Sequence, residues 1–243
     1  MESEKTGESV KSLNSNIIIG LKDAFPIMIG YFSVSMAFGL IVKNADLLLS
    51  DGILFSTVVF AGASQFMALN MLTTGSGWIS IIAATFLLNF RHFIMSASLG
   101  SRLQRPRRWQ IPIIAFGVTD ETFSVDMARE GSLPPVYIMS VHFFAWASWG
   151  AGTVSGYVLG SFIPDALGSS LGMGLYVLFM SLLVPEIKKG RKALWVALTA
   201  AALNTIFGYV PYIGSNWSLV CAVVASALIF TFLNNSPKEA FHE

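Results

Sequence analysis

Three charged side chains, Arg91, Asp120 and Glu121, lie inside long apolar runs of this sequence. Arg91 falls in Asn89-Phe90-Arg91-His92-Phe93, in a run that stays apolar to Leu99, about two helical turns further on. Asp120 and Glu121 sit together in Thr119-Asp120-Glu121-Thr122, within the run 109–128. A charge at membrane depth costs at least about 2.5–3.5 kcal/mol unless it is paired or hydrated. Two readings of Arg91 follow: it snorkels to the headgroups, or it faces a cavity, where its planar fork can hold a carboxylate bidentately. That carboxylate belongs either to a bound molecule or to Asp120 or Glu121. Adjacent acids on a helix point about 100° apart, so one can pair with Arg91 while the other addresses a different group. A carboxyl at such depth without full compensation can gain and lose a proton near neutrality, which suits proton coupling. If 109–128 is instead an interfacial helix, both acids lie in water.

Neutral groups add to the set. Gly62, Ser64 and Gln65 combine a flexible backbone with hydroxyl and amide groups suited to a zwitterion. The same Ala61-Gly62-Ala63-Ser64 run also suits close helix packing. Asn89 and Thr119 flank the charged residues as further donors and acceptors. His92 and His142 are possible proton carriers, although a lone histidine near aromatic residues is more often simply hydrogen-bonded. Nothing has metal-ligand spacing, and no phosphate loop or nucleotide fingerprint occurs, so no metal, cofactor or ATP-driven motor is expected. Ser148, Gly152, Gly156 and Gly160 recur every four residues, continued by Gly168 and Gly172. This is a helix-packing ridge, for another helix of the chain or for a second subunit.

The elements that position these residues follow from composition. Of 243 residues, 54% are hydrophobic and 12% charged, with mean hydropathy +0.65, against roughly 25% charge in an ordinary soluble domain. A soluble globule and a disordered chain are both excluded. With 15 Lys+Arg against 14 Asp+Glu, there is no basic field for nucleic acid. Apart from Asp165, at a loop, the remaining charges collect in a few places: the tail to Asp23, Lys43 to Asp51, Arg102 to Arg108, Asp126 to Glu130, Glu186 to Lys192, and the tail from Lys238. The single cysteine, Cys221, excludes an internal disulfide.

Hydropathy predicts an all-α, polytopic membrane bundle with segments near 17–42, 53–73, 77–99, 109–128, 135–161, 166–185, 192–210 and 216–233. Residues 1–16 form a polar cytosolic tail and 234–243 a polar C-terminal one. The first run is a retained helix, since no cleavage site follows a short apolar core. Pro26, with Gly30, Ser33, Ser35 and Gly39 after it, predicts a kinked, closely packed first helix. Asn204, Gly208, Pro211 and Gly214 suggest a further irregular turn near the membrane surface. The basic loops at Arg102–Arg108 and Lys188–Lys192 should both be cytoplasmic. Three segments separate them, so one must fail to cross, and 109–128 is the shortest and the most polar. The same parity argument points to 53–73, interrupted at Ala61-Gly62-Ala63-Ser64-Gln65. Paired interrupted segments in two halves, 17–100 and 109–233, mark a transporter binding site.

Phe60-Ala61-Gly62-Ala63-Ser64-Gln65-Phe66, Asn89-Phe90-Arg91-His92 with Met95-Ser96-Ala97-Ser98-Leu99, and Thr119-Asp120-Glu121-Thr122-Phe123 resemble the AzlC family of branched-chain amino acid exporters. With the chain length and polytopic pattern, the likeness covers nearly the whole sequence. It implies a multi-pass permease of the bacterial inner membrane, not an enzyme, that exports branched-chain amino acids with a separate small AzlD-like membrane subunit. In that mechanism an apolar pocket rich in Phe and Met takes the aliphatic side chain. Arg91 or backbone N–H groups take the carboxylate, and Asp120 or Glu121 takes the ammonium or a proton. The alternatives are an intramembrane enzyme using His92 with Asp120 or Glu121, and a structural subunit assembled through the glycine ridge.

Overall fold

The computed structural model describes residues 2–160, 162, 180, 183, 184, 187, 188, 190–209 and 214–234. The expected segment 166–185 lies outside them apart from Met180, Leu183 and Val184, as do Gly168, Gly172, Pro211 and the tail from residue 235. The described residues are helical, with one isolated β-bridge between Leu103 and Leu133. In chain order they form α1 (Glu2–Asn44), α2 (Leu49–Leu54) running into a π-helical turn (Phe55–Val59), α3 (Gly62–Thr73), α4 (Trp78–Gly100), α5 (Gln110–Phe116), α6 (Asp120–Ala128), α7 (Pro135–Leu159), α8 (Arg191–Gly208) and α9 (Gly214–Asn234). Two of these, Leu13–Asn44 of α1 and Trp78–Gly100, are long and apolar enough to cross a bilayer. The other expected segments are shorter, interrupted, less apolar or outside the described residues.

The chain divides into two compact units, Met1–Phe66 with Leu88–Leu175, and Met67–Leu87 with Tyr176–Glu243. In the second, α8 packs on α9, and Ser226 Oγ donates to the Val196 carbonyl at 2.9 Å.

The first unit is organised by α1 against α7, its most extensive helix pair. The four-residue ridge of α7 meets a four-residue ridge of α1. Ser148 Oγ donates to the Met28 carbonyl at 2.7 Å. A Cβ on Gly152 would fall on Phe32 and Ser35, one on Gly156 on the Met36 carbonyl, and one on Gly160 on Leu40. Met28, Phe32, Met36 and Leu40 are themselves four apart, so both numbers rise together and the helices run parallel. Gly39 completes the seam from the other side, against the Thr153 carbonyl. Small residues are required here because backbones this close leave no room for side chains. α1 passes through Pro26 as one assigned helix, and Gly30 has open space around it.

The stretch 110–128 is a helical hairpin. Its start is pinned by Gln110 Oε1, which accepts the Arg107 N–H at 2.8 Å. At its finish the Arg102 guanidinium donates to the carbonyls of Met127, Arg129 and Gly131. Leu133 N–H reaches the Arg102 carbonyl at 2.8 Å, closing the two ends together. Helices of 7 and 9 residues rise only about 10 and 14 Å, well short of a 30 Å hydrocarbon core.

One sequence assignment needs correction. Asp126 belongs not with the loop charges but in the last turn of α6, fully buried, where Oδ2 meets His142 Nε2 of α7 at 2.9 Å. Arg129 and Glu130 do lie beyond the helix end, so the cluster was read one turn too early. Gly117 makes room for this pair, since a side chain there would strike the His142 ring.

Candidate functional site

Both interrupted segments break at backbone positions that the sequence dictates. In the first, the π turn ends at Phe60, held in the left-handed region at φ 42°. That conformation is uncommon for a bulky residue and concentrates at functional sites. Gln65 spans the break, accepting from Ala61 N–H at 3.2 Å and donating to Ser56 Oγ at 3.3 Å. Ser56 in turn meets Thr153 Oγ1 of α7 at 2.7 Å. Ser56, Gln65 and Thr153 are fully buried, so this network fixes the tip of α3 from within. Gly62, Ala63 and Ser64 form the first turn of α3, whose N–H groups have no helical acceptor. Gly62 lies against the Trp149 ring, where a Cβ would not fit. Ser64 Oγ donates to the Ala61 carbonyl and accepts from Asn89 Nδ2 at 2.9 Å.

In the second, Thr119 caps α6. Its Oγ1 accepts from Thr122 N–H at 3.2 Å, while Thr122 Oγ1 accepts from Thr119 N–H at 2.9 Å. This reciprocal box satisfies two of the donors a helix start leaves free. Asp120 and Glu121 then occupy the first turn, where the helix dipole favours negative charge.

The two breaks converge on Tyr31, in the middle of α1. Its ring stands edge-on to Phe60 at 6.1 Å and to Trp149 at 5.1 Å, and Phe60 lies 6.1 Å from Phe116 at the end of α5. The Tyr31 hydroxyl lies 2.6 Å from Thr119 Oγ1 and donates to Glu121 Oε2 at 2.7 Å. Its one proton serves the carboxylate, so Thr119 donates to it.

Among the alternatives for Arg91, the structure has it paired with Asp120, Nη2 to Oδ2 at 2.9 Å, with side chains 34% and 30% exposed. Arg91 Nε and Asn89 Oδ1 are buried with no hydrogen-bond partner among the described residues. His92 lies half-buried, near enough to feel the charges of Arg91 and Glu121. Asp120 is held by Arg91 and Glu121 by Tyr31, so neither is hydrogen-bonded to His92 as a catalytic pair requires. The structure thus gathers Thr119, Asp120, Glu121 and, through Asp120, Arg91 near Tyr31, with Asn89 joined to Ser64 beside Gly62 and Gln65 at the other break. Gly152, Gly156 and Gly160 lie in the α1–α7 seam. Among the described residues no cluster of His, Cys, Asp and Glu is arranged to hold a metal. Sequence reasoning missed Tyr31 and Trp149, because an aromatic residue in an apolar helix carries no polar signal of its own.

These features define a class: a helical membrane protein in which two helix breaks meet around paired charges. The chain belongs to the AzlC family, whose family model, described as AzlC protein, matches residues 26–163. It is 32% identical over 232 residues to the inner membrane protein YgaZ of Escherichia coli (strain K12), covering 90% of this chain and 93% of that one. An uncharacterized membrane protein of Archaeoglobus fulgidus is 30% identical over 172 residues, 70% of this chain and 75% of its own. The branched-chain amino acid transport protein AzlC of Bacillus subtilis (strain 168) is 23% identical over 236 residues, 93% and 90% respectively. No solved structure matches.

Proposed function

We propose that the chain is a multi-pass secondary transporter of the bacterial inner membrane that exports small apolar amino acids, the branched-chain ones above all, coupled to protons. The observation that carries this reading is the convergence of two helix breaks on Tyr31. Lipid cannot satisfy free backbone groups, so irregular backbone at membrane depth belongs where protein or a water-filled path surrounds it. Paired broken helices are how many transporters build a midplane binding site. The name of the Bacillus subtilis relative, a branched-chain amino acid transport protein, supports the substrate class.

The 110–128 hairpin and the interrupted 49–73 stretch act as two re-entrant elements of pseudo-related halves. Arg91 and Asp120 neutralise each other, which leaves Glu121 as the acid held by the Tyr31 hydroxyl, and it takes the ammonium or a proton. Free N–H groups of Gly62 and Ala63, with Arg91 when it exchanges Asp120 for substrate, take the carboxylate. Phe60, Phe116 and Trp149 wall the aliphatic side chain. A small AzlD-like membrane subunit completes the working transporter as a separate chain.

Proteoliposomes test this. The purified chain, alone and with that subunit, should exchange labelled valine, leucine or isoleucine across the bilayer, and an imposed proton gradient should drive net movement. Inserted, folded protein that moves none of the three in either form would overturn the reading. Tyr31→Phe removes the donor to Glu121 while keeping the ring against Phe60 and Trp149. A hydrogen bond to a charged group is worth about 1.5–3 kcal/mol, so transport should fall about tenfold or more and the melting temperature by several degrees. An unchanged rate in Tyr31→Phe would remove this hydroxyl from the mechanism.

A further inference from the structure

We propose that the end of the first unit carrying the basic loop holds a binding site for one anionic phospholipid. This does not depend on what the central site carries. A groove of about 720 Å³ opens there between the start of α1, α5 and the start of α7, a volume in the range of built ligand sites. Its walls include Ile17, Ile113 and Phe143, and its rim carries Arg105, Arg107 and Trp109. The walls are mostly apolar, with Gln110 and Ser140 the uncharged polar side chains among them, and both charged residues of the lining are positive.

The loop is held in place rather than loosely draped. Gln110 Oε1 accepts the Arg107 N–H at 2.8 Å. Arg105 is fixed at φ 41°, in the left-handed region that a long side chain seldom adopts. The neighbouring Arg102 spends its guanidinium on three carbonyls, whereas among the described residues neither Arg105 nor Arg107 has a carboxylate partner. Two guanidinium groups with no carboxylate partner among the described residues line this slot, with the exposed Trp109 indole beside them, as headgroup-level tryptophans do.

The ligand must therefore be anionic at one end and apolar along the rest. A soluble anion would leave the walls unsatisfied. A zwitterionic lipid would gain little from two cations, because its own cation opposes them. Basic pockets at helix ends on the cytoplasmic side recognise anionic headgroups, at about 1 kcal/mol per Lys or Arg. The basic loop marks this end as cytoplasmic.

The test uses the full chain in neutral detergent, with native mass spectrometry during titration with phosphatidylglycerol, phosphatidylcholine or inorganic phosphate. At about fivefold per arginine, wild type should prefer phosphatidylglycerol to phosphatidylcholine about 25-fold. R105Q/R107Q should abolish that preference, and R108Q, on the same loop but outside the groove, should keep it. R105K/R107K should retain part of it, which keeps the comparison available if the neutral double variant does not fold. Equal binding of the two lipids by wild type would overturn the proposal. So would equal losses in R105Q/R107Q and R108Q, which would mean diffuse charge attraction, or displacement of the lipid by inorganic phosphate, which would mean a free-anion site.

Discussion

Gly156→Val is expected to melt well below wild type, while Gly150→Val, less than two turns away on the same helix, should be nearly neutral. A Cβ at Gly156 would fall on the Met36 carbonyl, whereas nothing lies within 4 Å of one at Gly150. The obstacle at Gly156 is backbone, which cannot turn aside as a flexible side chain does, so α1 must lift from α7. Lifting it also opens the seam at Gly39, Gly152 and Gly160, because the two ridges are in one continuous register. Overpacking a tight site costs typically 1–3 kcal/mol and occasionally more; here the strain spreads over several turns, so about 3 kcal/mol or more is expected. At about 2–4 °C per kcal/mol for a domain of this size, the melting temperature falls by about 10 °C. Thermal melting followed by size-exclusion fluorescence measures it. A Gly156→Val protein melting with wild type would show that the helices do not approach as closely as drawn.

How far this seam was legible shows what sequence can and cannot carry. A residue step of four with Ser148, Gly152, Gly156 and Gly160 announces close approach, because only small side chains permit it. It does not announce the partner. Met28, Phe32, Met36 and Leu40 offer backbone to the glycines, and backbone leaves no trace in residue type. The two breaks were legible for a related reason: small residues followed by polar ones, as in Ala61–Gln65 and Gly117–Thr122, weaken a helix and cap the next. Tyr31 was not, since its meaning comes from standing opposite Thr119 and Glu121, about 90 positions away. Asp126 was misplaced because charge near a loop looks like solvent-facing charge until the helix end is known. His142 read as a hydrogen-bonded histidine, and its partner is that same aspartate.

The largest functional effect is expected at Arg91 and Asp120, and a double-mutant cycle separates its two causes. Arg91→Gln strands a carboxylate among apolar walls, and Asp120→Asn strands a guanidinium. Breaking a buried pair costs about 3–5 kcal/mol, but these side chains are about a third exposed, so solvent screening reduces the loss to about 1–3 kcal/mol. Each single variant should therefore be less stable than wild type, and Arg91→Gln, which also removes a substrate contact, should lose transport about 100-fold. The combined variant Arg91→Gln/Asp120→Asn strands no charge and should regain most of the lost stability. If Arg91 serves only to neutralise Asp120, transport returns with stability. If Arg91 releases Asp120 to take the substrate carboxylate, the double variant is stable and still inactive, because no guanidinium remains for the substrate. The second outcome is the one expected, since Arg91 Nε is buried beside the pair with no acceptor of its own, and an arginine that only balanced charge would have no use for a donor held in reserve.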